Sequence, residues 1–207
     1  DYAVTGVQTC ALPICWADAR SVGRELSCKT LGLVGYGNIA QKVASVACAF
    51  GMKVVYWSRT RVDSQAARYV EQEELFSISD VVSIHIPLTD QTRGIIDRRL
   101  LALLKPTAIL INTARGAIVH EEHLIEALER HSIAGAGLDV FAVEPLPPDS
   151  RLLTLPNVLL TPHMAGSTEE CLQRLARAGG EDIRRVLSGE HPRHAVNVPA
   201  RSTRVVN

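Results

Sequence analysis

Three side chains of this sequence, Arg115, Glu144 and His163, have the residue types that a reaction at a carbonyl group requires. An arginine fork can pair with a carboxylate and polarise a neighbouring carbonyl. A histidine can donate a proton to the carbonyl oxygen. A glutamate beside the ring would favour its protonated form and fix its orientation. Taken singly, Glu144 before Pro145 is equally well explained as a loop carboxylate, and His163 after Pro162 as a turn residue.

A second group is a glycine-rich turn, G-x-G-x-x-A, formed by Gly35, Gly37 and Ala40. Gly35 would permit the tight turn and Gly37 the close approach of backbone to a pyrophosphate, while a small third residue allows the helix to pack on the strand. Amides at the start of the helix would then face the phosphates. The alternative is an ordinary glycine turn, but an apolar run precedes it and a helical pattern follows it. The sequence therefore predicts a dinucleotide site.

The second predicted strand ends in YWSRT, which places Ser58, Arg59 and Thr60 beyond it. NAD-binding domains usually carry an acid there to hold the ribose 2′-OH. Without that acid a 2′-phosphate is not repelled, and Arg59 offers it a planar donor fork. The cofactor is thus predicted to be NADP or NAD, with NADP favoured. The alternative is that Arg59 is a solvated loop residue.

These residues need a scaffold that brings the ends of several strands together. Strands are predicted at 29–34, 53–57, 80–86, 108–113, 134–140 and 157–162, and helices at 38–50, 98–104, 121–130 and after residue 166. Several strands are nearly continuous apolar runs, which is typical of a parallel sheet covered on both faces. The sequence therefore predicts an α/β fold with a doubly wound parallel sheet of the Rossmann type. Arg115, Glu144 and His163 are expected to converge at the carboxyl edge of that sheet.

Capping residues mark two of the helices. Asp97 is expected to cap the short helix that follows it. Ser167 with Glu170 three residues later forms a capping-box pattern for the last helix, and Gly189 is placed to end it. One apolar or small stripe along this helix is predicted at positions 172, 175, 176, 179, 183, 186 and 187.

Composition and charge limit the classes of function that the sequence supports. Lys plus Arg and Asp plus Glu number 22 each, so the net charge is zero, and no basic stripe indicates nucleic acid as a partner. No apolar run has the ~18 residues of a membrane span. The five cysteines are scattered without metal-type spacing, which predicts free thiols, a cytoplasmic location and no metal site.

Five segments resemble the D-isomer-specific 2-hydroxyacid dehydrogenase family, which includes phosphoglycerate dehydrogenases and glyoxylate/hydroxypyruvate reductases. They are GRELSCKTLGLVGYGNIA, SDVVSIHIPLT, INTARGAIV, GLDVFAVEP and LTPHMAGST, within a resemblance that runs from about 16 to 199. Two departures stand out: Ser58 replaces the usual acid, and Cys28 stands where glycine is common.

The resemblance implies site residues. The family's catalytic Arg, Glu and His match Arg115, Glu144 and His163, and its small-molecule substrates are 2-keto or 2-hydroxy acids. The cofactor-binding set, besides the glycine turn and residues 58–60, comprises Asn38 and Ile39 on the pyrophosphate, Pro87 and Leu88 near the adenosine, and Thr113, Ala114 and Asp139 around the nicotinamide. Ala165 also belongs to this set. The intact protein is expected to be a homodimer.

The domain organisation is predicted in three parts. Residues 4–14 have the sequence VTGVQTCALPI, which matches a translated sequencing-adapter oligonucleotide, so residues 1–15 are predicted to be non-native; the alternative is a natural N-terminal strand. Residues 16–190 are predicted to form the NAD(P)-binding domain and 191–207 a C-terminal return segment and tail. The family's substrate domain is expected to be largely absent, which would leave an inactive fragment.

Three functions are compatible with a dinucleotide fold. An oxidoreductase that transfers a hydride between NAD(P)H and a small 2-keto or 2-hydroxy acid accounts for the Arg–Glu–His set. A cofactor-sensing transcriptional corepressor can retain the same three residues, but it usually carries extra partner-binding segments. Another Rossmann enzyme, such as a methyltransferase, would have no reason to hold them.

Overall fold

The computed structural model describes residues 23–196. The predicted adapter-derived segment and the end of the C-terminal tail lie outside the described residues. The strands are β1 (Thr30–Val34), β2 (Lys53–Trp57), β3 (Arg68–Tyr69), β4 (Val81–Ile84), β5 (Ile109–Asn112), β6 (Gly135–Leu138) and β7 (Val158–Leu160). The helices are α1 (Asn38–Ala49), α2 (Gln72–Ile78), α3 (Arg98–Leu101), α4 (Glu121–Glu129) and α5 (Glu169–Leu187).

The strands form one seven-stranded sheet in the order β3-β2-β1-β4-β5-β6-β7, and every neighbouring pair is parallel. The first six positions follow the Rossmann order, and the direction of winding reverses between β1 and β4. The doubly wound parallel sheet predicted from the sequence is therefore confirmed. Its switch point places the glycine turn after β1 beside the loop after β4.

Two apolar clusters hold the helices on the sheet. On one face, α2, α3 and α4 bury residues such as Phe76, Leu100 and Leu128 against the strands. On the other face, Ala40 and Ala44 of α1 are fully buried. Because these side chains are small and four residues apart, they form a flat stripe that lets α1 lie close to β1 and β2.

The face of the sheet that α1 covers is open over β5 to β7. Ile109 is 43% exposed and Leu159 is 70% exposed, and no residue of α5 is buried. The apolar strands predicted a sheet covered on both faces. Among the described residues that prediction is wrong for this part of the sheet, because no described helix packs there.

Several elements differ from the predictions, and most strands are shorter by one to three residues at one or both ends. Strand β3 and helix α2 were not predicted, and α3 ends at Leu101 although its pattern extended to residue 104. The Ser167–Glu170 capping box is wrong: Thr168 is the N-cap of α5, and its hydroxyl accepts from the backbone N–H of Cys171. The prediction one residue earlier failed because the sequence STEE offers two adjacent hydroxyl residues.

Other capping predictions are confirmed. The Asp97 carboxylate accepts from the N–H of Leu100 at the start of α3. Gly189 has a φ of +75° and follows α5, where its N–H donates to Val186 O and that of Glu190 to Arg185 O. These two bonds form a Schellman motif, which requires a left-handed residue at this position. No helix in the described part combines the length and apolar character needed to cross a bilayer.

Candidate active site

The glycine turn connects β1 to α1. Gly35 has a φ of +98°, and a Cβ there would lie 2.7 Å from the carbonyl oxygen of His85. Its N–H donates to Trp57 O at 2.8 Å, which ties the turn to the end of β2. A Cβ added to Gly37 would meet nothing within 4 Å, so the space beside this glycine is open. The turn therefore has one glycine required by crowding and one that leaves room for a ligand.

A cleft of about 470 Å³ lies beside this turn at the switch point of the sheet. It is lined by Ile39, Ile84, His85, Ile86, Pro87, Leu88, Thr113, Ala114 and Arg115. Five of the predicted cofactor-binding residues and the predicted catalytic arginine thus share one cavity. The free amides at the start of α1 and the open space at Gly37 fit a pyrophosphate, because neither a side chain nor a backbone group fills that place.

The loop after β2 carries the three residues predicted to face the ribose. The Ser58 hydroxyl donates to Thr60 O at 2.5 Å, so it shapes its own loop. Arg59 is exposed, and no described residue forms an ion pair with it. A guanidinium in this position is available to an anion from solvent.

Arg115 lies on the loop that follows β5. The buried side chain of Asn112 donates to Arg115 O at 3.0 Å and accepts from the N–H of Ala114 at 3.0 Å. Gly116 approaches the next loop so closely that a Cβ would lie 1.9 Å from the carbonyl carbon of Phe141. Asn112 therefore fixes the shape of the arginine loop, and Gly116 lets it pack beside the loop that carries Glu144.

Glu144 and His163 form a pair. Nδ1 of His163 lies 2.8 Å from Oε2 of Glu144, and Oε1 of Glu144 accepts from the N–H of Phe141. The hydrogen bond with His163 is the main cause that holds the pKa of Glu144 below its usual value, and Phe141 and the charge of Arg115 act in the same direction. The three predicted catalytic residues are therefore brought together at one edge of the sheet.

His163 has a φ of +52°, a left-handed conformation that is uncommon for residues other than glycine. The backbone around it is held by Asp139, whose carbonyl accepts from the His163 N–H at 2.9 Å. Because Nδ1 faces Glu144, the Nε2 end of the ring is the one left for a substrate. The side chain is 48% exposed, so the ring is accessible to a ligand.

Asp139 was predicted to flank the nicotinamide, and that stays a prediction; the residue is only 2% exposed, and its carboxylate lies beneath the histidine loop. It accepts from the Thr161 hydroxyl at 2.6 Å and from the N–H groups of Met164 and Ala165 at 2.8 and 2.9 Å. Burial alone would raise the pKa of Asp139, but these hydrogen bonds outweigh it and the pKa is lowered. Ala165, also in the predicted cofactor set, contacts Asp139 through its amide.

The remaining histidines give no metal centre in the described part of the chain, where no group of three His, Cys, Asp or Glu is suitably placed. His85 lines the cleft, and its Nε2 lies 2.9 Å from the Ser83 hydroxyl. Burial lowers the pKa of His85, which favours a neutral ring beside the cleft.

A comparison with known protein families identifies the family to which this chain belongs. The family described as "D-isomer specific 2-hydroxyacid dehydrogenase, NAD binding domain" matches residues 7–165. The chain belongs to the D-isomer-specific 2-hydroxyacid dehydrogenase family. The match begins inside the segment attributed above to an adapter, and that attribution stays a prediction.

Similar family members carry several functional names. The chain is 45% identical over 188 residues to a D-3-phosphoglycerate dehydrogenase of Synechocystis, covering 89% of this chain and 34% of the relative. It is 44% identical over 186 residues to a glyoxylate reductase of Aeropyrum pernix, covering 88% of this chain and 56% of that enzyme. The chain therefore spans between a third and three fifths of the length of these dehydrogenases.

Solved structures of similar chains have the same fold. The TT0316 protein of Thermus thermophilus aligns with a TM-score of 0.86 at 44% identity, over 90% of this chain and 60% of that one. An acyclic imino acid reductase in complex with NADPH and D-Arg aligns at 0.79 and 35% identity, covering 84% and 56%. A Lactobacillus jensenii D-lactate dehydrogenase with NAD+ aligns at 0.81 and 32%, covering 90% and 60%.

Sequence reasoning did not assign roles to two residues that position this dehydrogenase-family site. Asn112 was seen only as part of the segment INTARGAIV, and Thr161 only as part of LTPHMAGST. An Asn at the buried end of a strand, two residues before an exposed loop, is the pattern that could have indicated Asn112 as a loop anchor. Thr161 offered no such pattern, because its partner Asp139 is 22 residues away.

Proposed function

We propose that the protein containing this chain is an NAD(P)-dependent oxidoreductase that interconverts a small 2-keto acid and the corresponding 2-hydroxy acid. The observation that carries the proposal is the 2.8 Å Glu144–His163 pair on the same sheet edge as Arg115 and the open cofactor cleft. When bound, the nicotinamide cofactor supplies or takes the hydride. Nothing in the described structure favours the corepressor hypothesis.

The chain's own residues divide the rest of the chemistry. Arg115 binds the substrate carboxylate through its guanidinium fork and polarises the carbonyl. His163 donates a proton from Nε2 to the carbonyl oxygen during reduction and takes it back during oxidation. Glu144 orients the ring through Nδ1 and balances the charge that forms on it. Asn112 and Asp139 act through the loops they hold and do not touch the reacting atoms.

The proposed substrate class is supported by the names of two relatives, a phosphoglycerate dehydrogenase and a glyoxylate reductase. The substrates in both names are small acids with an oxygen on the carbon next to the carboxylate. One arginine for the carboxylate and one histidine for that oxygen are what such substrates require. We propose glyoxylate and hydroxypyruvate as the first substrates to test.

A histidine substitution tests the proposed reaction in a version of the protein that also carries a substrate domain. His163→Ala should lower kcat for reduction of glyoxylate or hydroxypyruvate by about 10²- to 10⁴-fold, the usual contribution of a positioned acid. His191→Ala, an exposed histidine beyond α5, is the matched control and should leave kcat unchanged. Normal turnover by His163→Ala would refute the proposed acid.

The preference for NADP over NAD is a finer part of the proposal. It is supported by the exposed guanidinium of Arg59 and by the absence of an acid at Ser58. Arg59→Ala should raise the Kd for NADPH by about tenfold and leave that for NADH nearly unchanged, because only NADPH has the 2′-phosphate. Arg174→Ala on the exposed surface of α5 is the control. A native preference for NADH that Arg59→Ala does not alter would contradict this part alone.

A further inference from the structure

A pair of buried tyrosines connects the glycine turn to the loop after β2. Tyr36 occupies the variable position between Gly35 and Gly37 and is 6% exposed. Its ring stacks on that of Tyr56 in β2, with centroids 4.1 Å apart and planes 21° from parallel. Its hydroxyl lies 2.7 Å from Oγ of Ser64. The side chain of Tyr36 thus brings the glycine turn into direct contact with the loop after β2.

Tyr56 holds the same loop at a second point. Its ring is 1% exposed, and its hydroxyl both accepts from the N–H of Val62 at 2.9 Å and donates to the Val62 carbonyl. One phenol therefore satisfies both backbone groups of a loop residue, as a neighbouring strand would. We call Tyr36, Tyr56, Val62 and Ser64 the tyrosine clamp.

The clamp acts on the loop between β2 and β3, where Arg59 and Arg61 lie, and Arg68 follows as the first residue of β3. Arg61 lies over the ring of Tyr69, 5.3 Å from its centroid, and Arg68 pairs with Glu74 at 3.1 Å. Arg59 is the one for which the described residues provide neither an ion pair nor a ring. Because the clamp fixes residues 62 and 64, it restricts the short segment that carries Arg59.

We propose that the tyrosine clamp presets the 58–62 loop for a 2′-phosphate, so that Tyr36 and Tyr56 are positioning residues for cofactor discrimination. This inference rests on the proposed function. A loop that is already ordered loses less conformational entropy when a ligand binds. This smaller entropy loss favours binding through the contacts that Arg59 makes. Since Arg59 is proposed to contact the 2′-phosphate, NADPH binding is strengthened more than NADH binding.

Substitutions that remove single hydroxyl groups distinguish the hydrogen bonds of the clamp from the packing of its aromatic rings. Tyr36→Phe keeps the stacked ring and removes only the bond to Ser64, while Ser64→Ala removes that bond and the one that Ser64 accepts from the Ala66 N–H. Tyr69→Phe is the matched control, because its hydroxyl contacts only exposed Glu71. Each variant of the 207-residue chain is titrated with NADPH and NADH, and the ratio of the two Kd values is compared.

The ratio should move toward NADH by about three- to tenfold in Tyr36→Phe and in Ser64→Ala, the range expected for one hydrogen bond. The double variant should behave like Ser64→Ala alone, because both changes break the same bond. Tyr69→Phe should keep the native ratio. An unchanged ratio in Tyr36→Phe, in a chain where Arg59→Ala does abolish the preference, overturns the clamp and leaves the proposed function standing.

A second measurement needs no cofactor. Trypsin cleaves after arginine, so the rate of cleavage after Arg59 and Arg61 reports how often the loop opens. Tyr36→Phe and Ser64→Ala should speed cleavage at these two sites severalfold, while cleavage after Arg174 on α5 stays at the native rate. If Arg59→Ala leaves the ratio of the two Kd values unaltered, the proposed preference for NADP is refuted. The rate of cleavage then decides whether the clamp holds the loop. Equal cleavage in the native chain and in Tyr36→Phe overturns the clamp.

Discussion

Asp139 holds the backbone around His163, the proposed acid, through hydrogen bonds to the residues on either side of it. It lies at the end of β6 and accepts three hydrogen bonds from residues 161, 164 and 165, on both sides of His163. The left-handed backbone at His163 is a conformation that its surroundings must enforce. We infer that the buried charge of Asp139 provides much of this enforcement.

Asp139→Asn should therefore destabilise the chain and release the histidine loop. An amide cannot accept from all three donors, and its NH₂ group would face a backbone N–H. Each lost bond to a charged acceptor contributes about 1.5–3 kcal/mol, so we expect a loss of about 2–3 kcal/mol in the free energy of unfolding. Urea unfolding at neutral pH measures it, with exposed Asp149→Asn as the control. A loss no larger than that of Asp149→Asn would refute the role.

The same substitution carries a pH signature. The pKa of Asp139 is lowered in the folded chain, so the charged form stabilises the fold at every pH above the unfolded pKa of about 3.9. This contribution is lost as the pH falls through the folded pKa. The difference in unfolding free energy between native chain and Asp139→Asn should thus be constant above about pH 5 and shrink below about pH 4. A difference that grows on acidification would contradict the assigned direction.

The elements that the sequence predicted well are the long apolar strands and the helices with clear capping residues. β3 has only two residues, too few for any periodicity, and α2 has no side-chain cap. Both were missed because their formation depends on docking against β2 and β1. The placement of Arg115, Glu144 and His163 at one sheet edge was predictable because each follows a strand, and their catalytic role stays a proposal. The bond between Tyr36 and Ser64 was not predictable, because it spans 28 residues and depends on the fold.

Helix α5 offers a direct test of the corrected cap. Its N-cap hydroxyl belongs to Thr168, which accepts from the Cys171 N–H at 3.1 Å. Thr168→Ala should cost about 1 kcal/mol and lower Tm by about 2–4 °C, because an N–H at the helix start loses its partner. Ser167→Ala is the matched control and should change Tm by less than about 1 °C. A larger effect at Ser167 would restore the capping box.

The molecule as described leaves a large apolar surface uncovered. A groove lined by Leu26, Val43, Val46, Phe50, Ile109 and Ile111 runs along one face of the sheet, and a second one continues from Ile109 to Leu159. The apolar stripe of α5 is also exposed, with Leu187 at 84%. Contiguous apolar surface of this kind favours association. The predicted homodimer of the intact protein is not tested by these observations and stays a prediction.

The state of the site in the 207-residue chain follows from its exposure. The side chains of Glu144 and His163 are 37% and 48% exposed, and Arg115 is exposed on the loop that follows β5. Hydride transfer requires an oriented substrate in a site shielded from water. The cleft beside the glycine turn, by contrast, is lined by described residues of α1, of β4 and the loop after it, and of the loop after β5.

We therefore predict that the chain as given folds and binds NAD(P)H but does not turn over 2-keto acids. Titration should show saturable binding of NADPH or NADH, while the absorbance of the reduced cofactor should stay constant with glyoxylate or hydroxypyruvate. Gly37→Ala, which would fill the open space beside the turn, should weaken binding and thus shows that the titration reports the cleft. A chain beginning at Trp16 should bind and unfold like the parent, because residues 1–15 are predicted to be non-native. Robust turnover by the parent chain would show that its exposed site is sufficient, and marked destabilisation on removing residues 1–15 would show that this segment belongs to the fold.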